Sequence, residues 1–318
     1  MYKEKRISRS EFVPIRGLQY HVQIWDGSDT VSTTVSNATP LVLLHGWMDV
    51  AASYQFMVDA FSDAFAQGRR IIAPDWRGFG QTTATHGDTS LAASAKNYWN
   101  PDYLADLDFL LDHCVQDQPV DLVGHSMGGN IAMSYAGIRP GRVRRLVNLE
   151  GFGLPASQPD DAPTRYVKWL DELKSLQRGE LDLKGYDDVS GVARRLMKTN
   201  PRLSPDKAAW LASHWSRPDA AGQWRILGDA AHKVTSANLY QVEETLAIYR
   251  RITAPLLAVE AADDSLAQWW KAKYTLAQYH ERLQQVKDAR IAVIDNAGHM
   301  VHHDQPAHLA LLIEDFLN

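Results

Sequence analysis

The chain has a single cysteine in 318 residues, which excludes an internal disulfide and a cysteine-based zinc cluster and suits a reducing compartment. Cys114 falls on the apolar stripe Leu104, Leu107, Leu111, Cys114, so it reads as helix core. No apolar run approaches the ~20 residues of a membrane span, and no apolar segment of a signal peptide follows the charged start Met1 to Arg6. Neither sign of charge dominates: 33 basic against 38 acidic residues give a formal charge of −5, and Arg142, Arg144 and Arg145 are the densest basic group. These absences argue against nucleic acid and membranes as partners and point to a soluble, unprocessed, cytoplasmic protein acting on a small molecule. The oligomeric state is not legible in them.

What the chain does have is alternation. Short β-branched or leucine-rich runs lie near residues 7–13, 18–25, 41–44, 70–74, 120–123, 146–149, 256–259 and 291–294, separated by longer helical patterns. The first two predict a hairpin. The whole predicts an α/β fold, an eight-stranded, mostly parallel sheet with helices on both faces. Asn100-Pro101 and Ser204-Pro205 mark helix starts, and Pro306 opens a last helix with Leu309, Leu312, Ile313 and Phe316 on one face. Between the sixth and seventh strands the chain runs for about a hundred residues without a clear strand, beyond any ordinary connection. An inserted helical cap over residues 153–238 is expected, with the core domain formed by 1–152 and 239–318. Helical patterns cover residues 166–176, 192–197, 205–215 and 240–249, and the tryptophans and tyrosines within the insertion are read as cap core or pocket wall.

The chemistry is carried by Gly124-His-Ser126-Met-Gly128, placed between an apolar strand and a small-residue helix. This is the pattern of a nucleophile elbow, in which the flanking glycines leave room for a strained turn that lifts the serine hydroxyl off the sheet edge. A serine hydroxyl needs a base to take its proton and an acid to hold that base. His299, after Gly298 in the loop between the last strand and the last helix, is the expected base. The oxyanion would be held by two backbone N–H groups, from Met127 after the serine and from Trp47 in the His45-Gly46-Trp47 loop. The acid has two candidates. Glu150 closes the sixth strand at the same sheet edge and is favoured, because a carboxylate at the end of an apolar strand needs a buried partner. Asp264, after the seventh strand, is its close rival, with Asp263 behind it.

Asp75 in Asp75-Trp-Arg-Gly-Phe-Gly80 is expected to fix a glycine turn through an Asp–Arg contact. His302, His303 and Asp304 invite a metal reading with His299, but the sequence displays no full ligand set, so no metal and no cofactor are expected. Those groups are expected to orient the histidine loop or cap the last helix.

Four motifs in order, His-Gly-Trp, Asp-x-Arg-Gly-x-Gly, Gly-His-Ser-Met-Gly-Gly and Gly-His, resemble the α/β-hydrolase superfamily over nearly the whole chain. Asn148 to Pro155, Ala231 to Val234, Asn238 to Glu244 and Ala297 to Pro306 resemble, more closely, bacterial relatives of the serine hydrolase-like proteins. That resemblance implies a capped hydrolase and no defined substrate. Haloalkane dehalogenases of the same fold place an acid after strand six, where Glu150 stands, but use an aspartate nucleophile, so Ser126 argues against dehalogenase and epoxide hydrolase chemistry. Family members usually carry a glycine after strand seven where this chain has Ala261, which weakens the case for Asp264. The expected activity is serine carboxylesterase chemistry on a small or medium, mainly apolar ester. Lactone, thioester, amide or carbon–carbon hydrolysis would use the same residues. A ligand-binding receptor on a hydrolase scaffold, or a cofactor-free oxygenase or lyase using His299, are the readings from other classes.

Overall fold

A computed structural model describes residues 2–27, 38–84 and 97–318. Eight strands form its main sheet: β1 Arg9–Ile15, β2 Leu18–Trp25, β3 Leu41–Leu44, β4 Ile71–Pro74, β5 Val120–His125, β6 Val143–Leu149, β7 Leu256–Ala261 and β8 Ala289–Ile294. They lie in the order β1-β2-β4-β3-β5-β6-β7-β8. Pairings from β4 through β8 are parallel, while β1–β2 and β2–β4 are antiparallel. Arg16 and Gly17 turn the β1–β2 hairpin with φ of 47° and 80°, the left-handed pair that matches strand twist. A further two-residue strand, Thr83–Ala84, pairs with β2 and was too short to leave a pattern in the sequence.

Twelve helices accompany these strands among the described residues: α1 Gln55–Ala60, α2 Asp63–Ala66, α3 Asn100–Val115, α4 Met127–Ile138, α5 Ala162–Gln177, α6 Val189–Thr199, α7 Pro205–Trp215, α8 Val242–Tyr249, α9 Ser265–Trp270, α10 Leu276–Leu283, α11 Val301–Asp304 and α12 Pro306–Leu317. The period-two pattern of the central strands feeds two layers. Val42, Leu44, Leu122, Leu146 and Ala258 join Leu107, Leu111, Cys114, Ile131 and Met133 on one face. Leu41, Leu43, Val147, Leu149 and Val259 join Met57, Val58, Leu309, Ile313 and Phe316 on the other. Cys114 is buried core, and burial raises its thiol to about 11.

Residues 153–238 contain α5, α6 and α7, together with a small antiparallel sheet of Gly185–Tyr186, Trp224–Ile226 and Ser216–Pro218, with Trp224–Ile226 in the middle. The strands have two or three residues each, too few for an alternation to register. Val192, Leu196 and Leu211 bury against Val50, Ala52 and Phe56 from the segment after β3. By contrast α5 buries none of its residues.

The sheet and α4 approach so closely that two glycines are obligatory at their junction. A Cβ on Gly124 would lie 2.3 Å from the Gly128 carbonyl oxygen, and one on Gly128 would lie 2.1 Å from the Leu44 carbonyl oxygen. Both clashes are with backbone, which cannot swing aside. Gly128→Ala is therefore expected to cost about 3 kcal/mol or more and to lower the melting temperature by about 5 °C or more. Gly141→Ala, where a Cβ would meet nothing within 4 Å, should leave it unchanged in the same thermal scan.

Candidate active site

Four loops meet at the carboxyl edge of the sheet, and each contains a non-glycine residue at positive φ. Met48 after β3 has φ 54°, Ser126 after β5 52°, Glu150 after β6 55° and Asn296 after β8 53°. Such backbone is strained by about 1–3 kcal/mol per residue and persists where surrounding packing enforces it. Ser126 sits between β5 and α4 with ψ −115°, its N–H bonded to the Leu149 carbonyl at 2.8 Å. Asn148, wholly buried, shapes the neighbouring turn: its side chain accepts from Gly151 N–H at 3.1 Å and donates to the Gly151 carbonyl at 2.8 Å.

Glu150 is the carboxylate the structure brings to the histidine. His299 Nδ1 donates to Glu150 Oε2 at 3.2 Å, while the carboxylate also accepts from Ala261 N–H at 2.7 Å and from the Ser265 hydroxyl at 2.8 Å. Asp264 is not there. Its carboxylate caps α9 by accepting from Ala267 N–H at 2.8 Å, and Asp263 pairs with Arg202 at 2.9 Å. The physical reason is local: an aspartate just before a helix finds free N–H donors within its own chain. Ser265, the first residue of α9 and the neighbour of Asp264, is the side chain that touches Glu150 there.

Burial sets the protonation of the pair. It pushes the Glu150 carboxyl up to about 7, against the pull of the Ala261 and Ser265 hydrogen bonds, and pushes His299 down to about 3. The resting imidazole is thus neutral at physiological pH. His299 is held from three sides, by Glu150, by His125 Nε2–H donating to its carbonyl oxygen at 2.7 Å, and by the Trp269 ring standing edge-on at 4.3 Å. The structure records no hydrogen bond between the Ser126 hydroxyl and His299, although His125, the residue before the serine, touches both the His299 carbonyl and its ring. Such bonds commonly tighten only when substrate is bound.

The Met127 and Trp47 N–H groups have no acceptor among the described residues. Gly46 brings the Trp47 loop against the elbow, for a Cβ there would lie 3.2 Å from Ser126 Cβ. His45 pins that loop by accepting the Trp76 N–H on Nε2 at 2.9 Å. The expected Asp75–Arg contact is absent: Asp75 accepts from the Ala51 and Gln81 N–H groups and from His21, while Arg77 pairs with Asp106. A buried carboxylate surrounded by free backbone donors is satisfied without a cation.

A family model described as the alpha/beta hydrolase fold matches residues 39–306. The chain belongs to the α/β-hydrolase fold family. It is 23% identical to a serine hydrolase-like protein of Danio rerio over 327 residues, covering 98% of this chain and 89% of the relative. It is 24% identical over 282 residues to a cis-3-alkyl-4-alkyloxetan-2-one decarboxylase of Shewanella oneidensis, covering 87% and 81%. Among solved structures, a thioesterase domain from the curacin biosynthetic pathway superposes with a TM-score of 0.76 at 25% identity, covering 96% of this chain and 99% of that one. The family match and the hydrolase-named relatives support a hydrolase.

In this α/β-hydrolase the histidine loop is braced by Asp304, which accepts from Gly298 N–H at 2.8 Å and from the Asn200 amide at 2.7 Å. His303 Nε2 bonds the Ser53 hydroxyl at 2.6 Å. His302 lies instead with Asp49 and His125 in a buried group whose ligand atoms are within 4.8 Å of one another. No helix among the described residues is long and apolar enough to cross a membrane.

Proposed function

We propose that this α/β-hydrolase is a serine carboxylesterase. Ser126 attacks the ester carbonyl and gives its proton to neutral His299, which returns it to the leaving alcohol. Water then repeats the cycle on the acyl-enzyme. The single observation that supports this best is the His299–Glu150 contact of 3.2 Å at the edge where Ser126 turns outward. An imidazolium formed beside a buried carboxylate is stabilised, and the carboxylate fixes the tautomer that leaves Nε2 bare toward the serine. The Met127 and Trp47 amides serve the tetrahedral oxyanion. No step calls for a cofactor.

The substrate we infer is small or medium and mainly apolar. Trp47 and Trp269 expose 52% and 49% of their surface, and Trp269 stands against the His299 ring. Exposed aromatics of that kind supply apolar contact for an acyl or alcohol group. Residues 153–238 are proposed as the cap that sets the size limit, with core domain 1–152 and 239–318 beneath. Trp269→Ala is expected to raise KM for medium-chain acyl esters several-fold with a smaller change in kcat, as steady-state kinetics on a chain-length series would read.

Fluorophosphonate labelling tests the reading directly, because an activated serine attacks phosphorus readily and an ordinary one does not. A single adduct on Ser126, mapped by peptide mass spectrometry, is expected. No adduct on folded protein, or one on another residue, overturns it.

A further inference from the structure

We propose that Asp49, His125 and His302 form a binding site for one divalent transition-metal ion of the zinc type, beneath the Ser126 turn and independent of the serine chemistry. The three come from separate places: the loop after β3, the last residue of β5 and the first turn of α11. All are buried, at 4%, 2% and 0% exposure. One ligand atom from each lies within 4.8 Å of the other two, and His302 Nε2 stands 3.9 Å from Asp49 Oδ2.

Hydrogen bonding fixes what these atoms offer. His125 Nε2 lies 2.7 Å from the His299 carbonyl oxygen, which can only accept, so Nε2 carries the proton and Nδ1 is a bare lone pair. That Nδ1 has no protein partner. Asp49 Oδ1 accepts from Val50 N–H at 2.9 Å and from Trp215 Nε1–H at 3.1 Å, whereas Oδ2 has no partner. His302 turns Nε2 toward Asp49, with the Ser53 hydroxyl 3.5 Å from that nitrogen, and its Nδ1 has no partner. Asp49 Oδ2 and His125 Nδ1 are thus buried acceptors without a hydrogen-bond partner, and a cation among the three residues would satisfy both.

Two of the three residues have the surroundings expected of metal ligands. Metal-ligating histidines almost always donate their other ring N–H to a carbonyl or carboxylate, and ligating carboxylates are themselves hydrogen-bonded. His125 makes the first kind of contact and Asp49 the second. Two imidazoles and one carboxylate suit zinc or a neighbouring transition ion, while calcium and magnesium prefer oxygen alone. Tetrahedral zinc at about 2.0–2.2 Å from its ligands separates them by about 3.4 Å, so the group must close by roughly 1 Å on loading. His303 is not a ligand, because its Nε2 is committed to Ser53. A loaded site would tie together the loops that carry Trp47, Ser126 and His299, and so stabilise the fold.

The full chain, stripped with a chelator, is titrated with Zn²⁺ by calorimetry and with Co²⁺ by visible absorption, which reports tetrahedral coordination without reference to activity. One equivalent per chain and a rise in melting temperature are expected. His302→Gln and Asp49→Asn, checked for folding by circular dichroism, should bind at least about tenfold more weakly. Ser126→Ala, and His280→Gln at a distant histidine, should bind like the wild type. Absence of stoichiometric binding, or binding that survives both ligand substitutions, overturns the proposal. Should the variants fail to fold, anomalous diffraction from zinc-soaked wild-type crystals decides: a peak among the three residues supports the site, and an ordered water alone refutes it.

Discussion

Ser126→Ala is expected to lower turnover of a short-chain aryl ester by at least about a thousandfold while leaving KM nearly unchanged. The hydroxyl supplies the bond-forming oxygen, so its loss removes the acyl-enzyme route and leaves only what the oxyanion donors and binding provide. The fold should not suffer, since alanine keeps the Cβ and meets the same φ of 52°. Ser126→Gly makes the complementary point. It is equally inactive on the same grounds, yet it releases strain and should melt higher than the alanine variant. A wild-type rate in Ser126→Ala would place the chemistry on another group and favour a lyase or oxygenase reading with His299 as base.

Glu150→Gln should cut turnover by roughly a hundredfold or more, and Asp264→Asn should cost much less. The first replaces the anion that stabilises the His299 imidazolium, and the second weakens only the cap of a short helix. The pH profile separates a charge effect from a merely structural one. Burial holds the Glu150 carboxyl up to about 7, so wild-type kcat/KM should rise with pH through about 7 as the carboxylate ionises. In Glu150→Gln that limb should vanish, and the residual rate should follow His299, which burial pushes down to about 3. Stability carries the same signature with a defined sign. A carboxyl whose folded pKa lies above its unfolded value of 4.5 adds no penalty below that value and its full penalty above about 7. Glu150→Gln should therefore melt higher than wild type at pH 8, by up to about 3 kcal/mol of stability, with the difference gone below pH ~4.5. A Gln variant with wild-type turnover, or Asp264→Asn as the inactive one, would move the acid to β7.

Sequence alone determined the architecture because its signals are local and periodic. Short β-branched or leucine-rich runs alternating with helices opened by Pro101, Pro205 and Pro306 specify an α/β fold, and Gly124 and Gly128 around Ser126 specify a turn that no other residues permit. The small sheet at Gly185, Ser216 and Trp224 escaped, as strands of two or three residues carry no period. What tertiary structure alone decided was which groups meet. Glu150 and Asp264 both follow strands to one edge, and only the placement of the His299 loop shows which carboxylate it reaches. Asp49, His125 and His302 lie far apart along the chain, with nothing in their spacing to join them. Periodicity is written in neighbouring residues, whereas a hydrogen bond between loops depends on how separate strands stack, and that is fixed only when the whole core packs.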